Sequence, residues 1–171
     1  MIVLISGATF TGKTMLAQRL LEQYHYPYLS IDHLKMGLIR SGNTALTPLS
    51  PDEELTRYLW PIVREMVKTA IENKQNLIVE GSYIPFGWAS DFSEAERAVI
   101  RFFCLAMTEK YINANFANIL RHSSDIERRQ DLSACTKDFL LRENAAVLTQ
   151  CRLRGIKPVL IDETYPLDLK L

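Results

Sequence analysis

Ile2-Val3-Leu4-Ile5-Ser6-Gly7-Ala8-Thr9-Phe10-Thr11-Gly12-Lys13-Thr14 is the stretch on which the fold of this chain turns. Its first four residues are β-branched or leucine with no polar alternation before Ser6, the pattern of a strand covered on both faces. Residues 7–14 then satisfy G-x-x-x-x-G-K-[ST] at every defined position. Beyond Gly12 the apolar residues Leu16, Ala17, Leu20, Leu21 and Tyr24 follow the helical period. Strand, glycine loop and helix in direct succession are what phosphate binding requires. The glycines let backbone N–H groups wrap an anion, and the helix N-terminus adds favourable potential for negative charge. The motif therefore predicts a nucleoside triphosphate site formed by Gly7, Thr9, Thr11, Gly12, Lys13 and Thr14. Lys13 reaches the β and γ phosphates, and the Thr14 hydroxyl is offered to Mg²⁺.

Outward from the loop, strand and helix patterns alternate, as expected for a parallel sheet with crossover helices. A second strand is read over Tyr26–Ile31, ending at Asp32. Residues 41–50 shift to Gly, Asn, Thr, Pro and Ser, a surface-loop composition. Ser50-Pro51-Asp52-Glu53 reads as a helix start, with Ser50 as the cap and Pro51 as the first helical residue. An apolar stripe from Leu55 to Ile71 follows, interrupted by Pro61, which predicts a kink or two abutting helices. A third strand spans Asn76–Glu80, followed by a Gly, Pro and aromatic loop to Ser90. Ser93-Glu94-Ala95-Glu96 caps a short turn, and Val99–Ala106 is the fourth strand. Thr108 caps a helix to Arg121, residues 122–136 are polar and charged, Lys137–Arg154 is a helix closed by Gly155, and Pro158–Ile161 is the fifth strand.

At 171 residues and 47% apolar content the chain suits one domain. Twenty basic residues balance twenty acidic ones, so no global field draws it to nucleic acid or an anionic membrane. The opening residues lack a basic region, and no stretch approaches membrane-spanning length, so neither a signal peptide nor an anchor is expected. Cys104, Cys135 and Cys151 fit neither a disulfide framework nor a C-x-x-C zinc site, which points to a reducing cytoplasm. The scattered His25, His33 and His122 suggest no metal site.

An N-terminal phosphate loop, an Asp after the second strand, an arginine-bearing segment before the last helix and only five strands together resemble the small P-loop kinases: nucleoside monophosphate, shikimate and gluconate kinases, chloramphenicol phosphotransferase and the zeta-toxin kinases. The resemblance implies a three-layer α/β/α doubly wound parallel sheet ordered 2-3-1-4-5, the P-loop NTPase fold. It also implies ATP and Mg²⁺ as cofactors, a small-molecule phosphoryl acceptor as partner, an acceptor-binding region at about residues 33–60 and a lid at about 122–136.

In the resemblance Asp32 sits where an aspartate of shikimate kinase and of the antibiotic and zeta-toxin kinases meets the acceptor hydroxyl and can accept its proton. Before His33-Leu34-Lys35-Met36 it is equally a good helix cap. Glu80 ends the third strand as an acid that holds Mg²⁺ through water or binds the acceptor does, although apolar strands often end in a charge at the solvent edge. Tyr83, Pro85, Phe86 and Trp88 could line an acceptor pocket or belong to the core. In the resemblance Arg121 lies over the adenine while Arg128 and Arg129 close on the transferring phosphate, with Arg142 a further candidate. Against that, Asp125, Glu127 and Asp131 could simply pair with these arginines in a solvated connection. Glu80-Gly81-Ser82-Tyr83-Ile84-Pro85-Phe86 lacks the arginine that grips AMP in adenylate kinases, and Arg40, Arg57 and Arg64 are alternatives for an acceptor phosphate, or else the wet face of a helix. No N-K-x-D or D-x-x-G element of a GTPase switch is present. A P-loop ATPase or nucleotide-binding regulatory protein without an acceptor, and a zeta-toxin-like kinase of a nucleotide sugar, are the alternative readings.

Overall fold

A computed structural model of the chain describes residues 1–122, 135–164 and 169–171. β1 (Ile2–Gly7) is buried along its whole length because it is central, paired in parallel with β3 (Leu77–Glu80) on one side and β4 (Ile100–Met107) on the other. β2 (Tyr28–Ser30) pairs with β3, and β5 (Val159–Ile161) with β4, completing a five-stranded parallel sheet in the order β2-β3-β1-β4-β5. The expected architecture and strand order are those observed.

The helices are α1 (Lys13–Tyr24), α2 (Ile31–Arg40), α3 (Asp52–Glu72), the single turn α4 (Glu94–Arg97), α5 (Glu109–His122) and α6 (Lys137–Leu153). Ile2, Leu4 and Val79 face a core closed by Leu55, Leu59, Val63 and Val67 of α3, while Val3, Ile5 and Ile78 face Leu16, Ala17 and Leu20 of α1. The two clusters take alternate residues of β1, so a continuous apolar run is what a central strand between two helical layers needs.

Boundaries differ in places from the sequence reading. β2 ends at Ser30, and Ile31 already begins α2, so Ser30 rather than Asp32 occupies the cap position. The cap before α3 is Pro51, one residue later than expected, and the Ser50 hydroxyl instead accepts from the Thr47 amide at 2.9 Å. Pro61 neither splits nor ends α3, which runs unbroken for 21 residues. The other caps stand as read: Ser93 and Glu96 form a capping box, Thr108 accepts from the Tyr111 amide at 3.1 Å, and Gly155 takes a left-handed φ of 64° after α6.

Candidate active site

Because every strand is parallel, every strand's carboxyl end lies on one side of the sheet, where ligands gather in open α/β folds. Gly7 ends β1 there with φ 139°, opposite Leu105 of β4. A Cβ on Gly7 would lie 2.1 Å from the Leu105 carbonyl oxygen, so only glycine lets the chain leave the sheet at this point. The loop is then fastened from within. The buried Thr11 hydroxyl donates to the Ala8 carbonyl at 2.7 Å, and Lys13 Nζ donates to the carbonyls of Ala8 at 2.9 Å and Gly7 at 3.2 Å. Gly12, in the left-handed region, caps α1, whose first two residues are Lys13 and Thr14. The first turn of α1 contains no acid of its own to offset the positive end of the helix.

Beside β1, the register sets Glu80 against both Ile5 of β1 and Ser30 of β2. Glu80 is therefore no solvent-edge charge: it is 2% exposed. Gly81 follows with φ 154°, where a Cβ would approach the Ile31 Cβ to 2.9 Å, so this glycine lets the loop after β3 pass close over the start of α2. That close passage brings Tyr83 to α2. Asp32, in the first turn of α2, forms an ion pair with Lys35, and Lys35 Nζ also donates to the Tyr83 hydroxyl at 2.9 Å. Burial pulls the Lys35 pKa down, but the hydrogen bond and charge of Asp32, with Tyr83, more than offset it and leave it above the ordinary lysine value. Burial raises the Tyr83 phenol, and Lys35 only partly counters it.

No family profile and no curated protein sequence matches the chain. Solved structures do. A provisionally assigned kinase from Chloroflexus aurantiacus j-10-fl superposes with a TM-score of 0.58 at 15% identity, covering 99% of this chain and 91% of that one. A gluconokinase from Sinorhizobium meliloti 1021 gives 0.55 at 18% identity over 96% and 83%, and a shikimate kinase from Bacteroides thetaiotaomicron gives 0.55 at 13% over 94% and 85%. The chain has the small P-loop kinase fold.

Within that fold, the residues singled out from sequence divide into those at the carboxyl edge and those elsewhere. Gly7, Thr9, Thr11, Gly12, Lys13, Thr14, Asp32 and Glu80 all lie on β1, β2 and β3 or the turns that leave them. Arg121 is exposed in the last turn of α5, and Arg142 is exposed on α6. Arg128 and Arg129, with most of the expected lid, lie outside the described residues. Arg57 is a wet-face arginine paired with Glu53 at 3.0 Å, and Arg64 pairs with Glu65 at 2.8 Å. The aromatic loop is mainly core: Trp88 packs on Phe92 and Phe102, and Tyr83 is 6% exposed, though its hydroxyl serves Lys35.

Two participants were missed in the sequence. Lys35 was available there, three residues from Asp32 and so on the same helical face. Glu143 was not: its carboxylate accepts from the Thr9 amide at 3.0 Å and the Thr9 hydroxyl at 2.8 Å across a separation of 134 residues. A cavity of about 890 Å³ lined by His25, Pro27, Met66 and Leu77 lies at the amino-terminal edge of the sheet, away from all of these groups.

Proposed function

We propose that the chain is an ATP-dependent small-molecule kinase. The carrying observation is a complete phosphate loop after β1 and an ion-paired aspartate after β2, both at the carboxyl edge of one parallel sheet with β3 between them. In this reading the α1 N-terminus and the loop amides receive the triphosphate, and Lys13 exchanges its carbonyl partners for the β and γ oxygens. Asp32 orients the acceptor hydroxyl and takes its proton as the γ-phosphoryl group is transferred in line. Lys35 fills one carboxylate oxygen of Asp32 and leaves the other to the acceptor. Arg128 and Arg129 are the charges this reading calls on at the transferring phosphate, and Arg121 is its adenine neighbour.

Thr14 and Glu80 supply hard oxygen donors, one hydroxyl and one buried carboxylate, which suit Mg²⁺ shared with nucleotide oxygens. Held by these two residues, Mg²⁺ would supply neutralisation of the charge on the transferring phosphate. Among the described residues, no three His, Cys, Asp or Glu side chains are grouped to hold an ion by themselves, which agrees with a cation held jointly with substrate.

The acceptor is placed between α2, the loop at 41–51, the start of α3 and the Gly81 loop. Among the described residues no helix is long and apolar enough to cross a membrane. A cytoplasmic location, where the free thiols stay reduced, belongs to the same proposal.

The test is ADP production by the purified protein with Mg-ATP across nucleosides, nucleotides, sugars, sugar acids, phosphoglycerates, nucleotide sugars and aminoglycosides. One class should stimulate turnover, and that stimulation should be lost in Asp32→Asn. Lys13→Ala should reduce transfer by at least about 10²-fold through lost stabilisation of developing charge. Turnover that no acceptor stimulates would favour a regulatory ATPase instead, and near-native activity in Lys13→Ala would refute the site.

A further inference from the structure

Glu143 and Asn144 are adjacent on α6, and each holds a backbone N–H at the carboxyl edge of the sheet. Asn144 is buried; its Oδ1 accepts from the Met107 amide at the end of β4 at 2.7 Å, and its Nδ2 donates to the Leu140 carbonyl at 2.8 Å. Glu143 Oε1 accepts both donors of Thr9, the third residue of the phosphate loop. The next residue, Phe10, has φ 62°, a left-handed conformation that a bulky side chain rarely adopts and that persists only where the surroundings over-determine it. On its far side, Thr11 is tied to the Ala8 carbonyl. Phe10 is thus clamped between a loop-internal bond at Thr11 and the Glu143 carboxylate at Thr9. The other oxygen, Oε2, is buried and has no partner among the described residues, an arrangement that protein interiors generally avoid. Packing alone does not account for a carboxylate kept there.

We infer that Glu143 is a positioning residue for the nucleotide site: it fixes Thr9, and through it the strained Phe10, so that the loop is already in its phosphate-binding shape before ligand arrives. It acts on the loop and not on the nucleotide. Its contacts fall on Thr9, in the first half of the motif, whereas the amides offered to an anion by the helix terminus are at Gly12, Lys13 and Thr14. Asn144 supplies the fixed base, because α6 is pinned to β4 one residue away. Preorganisation of this kind raises affinity by removing the ordering cost from the binding step.

The inference rests on the nucleotide-binding part of the proposed function, and calorimetric titration with Mg-ATP and with Mg-ADP separates the two. Glu143→Ala should weaken binding of both nucleotides by about tenfold or more. Glu143→Gln retains an oxygen that accepts both Thr9 donors, so it should stay within about threefold of the wild type. Hydrogen exchange at the Thr9 and Phe10 amides should quicken in the Ala variant and recover in the Gln variant. Unchanged affinity in Glu143→Ala, with binding lost in Lys13→Ala, would overturn this inference alone. Tighter binding in both Glu143 variants would make the carboxylate an obstacle to the triphosphate, and equal weakening in both would assign the effect to charge; either overturns it. A wild-type protein that binds neither nucleotide defeats the functional reading and this inference together.

Discussion

Lys35 keeps 11% of its side chain in solvent, so its charge depends on the partners the fold supplies. Both Lys35 and Tyr83 have folded-state pKa values raised above their ordinary 10.5 and 10.0, so the native state holds more protons than the unfolded state in the alkaline range. Stability from this cluster is complete below about pH 10 and is lost as pH rises through the folded values. Thermal unfolding measured from pH 8 to 11.5 should show Tm falling above pH 10 more steeply for the wild type than for Tyr83→Phe; parallel curves would remove the cluster from the stability of the fold. Gly7 makes a sharper demand. Gly7→Ala forces a methyl into the Leu105 carbonyl and should cost at least about 3 kcal/mol, lowering Tm by roughly 6–12 °C for a chain of this size. The glycine was legible because the motif names it, and the Asp32–Lys35 pair was legible in principle because three-residue spacing on a helix is local information. Glu143 could not be read, since nothing in the residues around it says that the fold returns α6 to the phosphate loop.

At the level of elements, the parallel order of strands and helices was legible because periodicity and turn chemistry agree along the whole chain. The errors fall where two local signals compete. Ile31, read as the end of β2, starts α2 and packs, fully buried, in the core that also holds Leu55 and Val79. Tertiary burial thus overrode a weak local preference. At Pro61, of the kink and the two abutting helices expected, the continuity of α3 excludes the second. The buried residues of α3 are Leu55, Leu59, Trp60, Val63, Val67 and Ala70, and the proline falls on the exposed side, where its ring meets no packed neighbour layer. The stripe continues past it, and packing on both sides holds one helix together despite the missing amide. A helix-interior proline costs about 3 kcal/mol relative to alanine, and its restriction of the unfolded chain returns about 0.4–1 kcal/mol. Pro61→Ala should therefore stabilise by about 2 kcal/mol and raise Tm by roughly 4–8 °C. A lower Tm would mean that the proline shapes the helix for the packing of Trp60, whose indole N–H donates to Asp91 at 2.7 Å.

For the molecule as a whole, the nucleotide and acceptor halves of the site are carried by different strands: Lys13 follows β1, and Asp32 follows β2 with β3 between them. Binding and chemistry should therefore be separable by mutation. A ligand that binds only the native state stabilises it by RT ln(1 + [L]/Kd), about 2.7 kcal/mol at a hundredfold excess over Kd, which corresponds to roughly 5–11 °C in Tm. Wild-type protein at saturating Mg-ATP should show a shift of that size. Lys13→Ala should melt near the wild-type temperature without ligand, because its contacts are to the carbonyls of a loop also held by Thr11 and Glu143, but it should lose most of the nucleotide shift. Asp32→Asn should keep the full nucleotide shift while failing to transfer phosphate, because the change lies two strands away from the loop. If Asp32→Asn instead loses the shift, the aspartate belongs to the nucleotide site. The acceptor would then have to be sought elsewhere along the carboxyl edge, with Glu80, buried on β3 between β1 and β2, as a carboxylate to test.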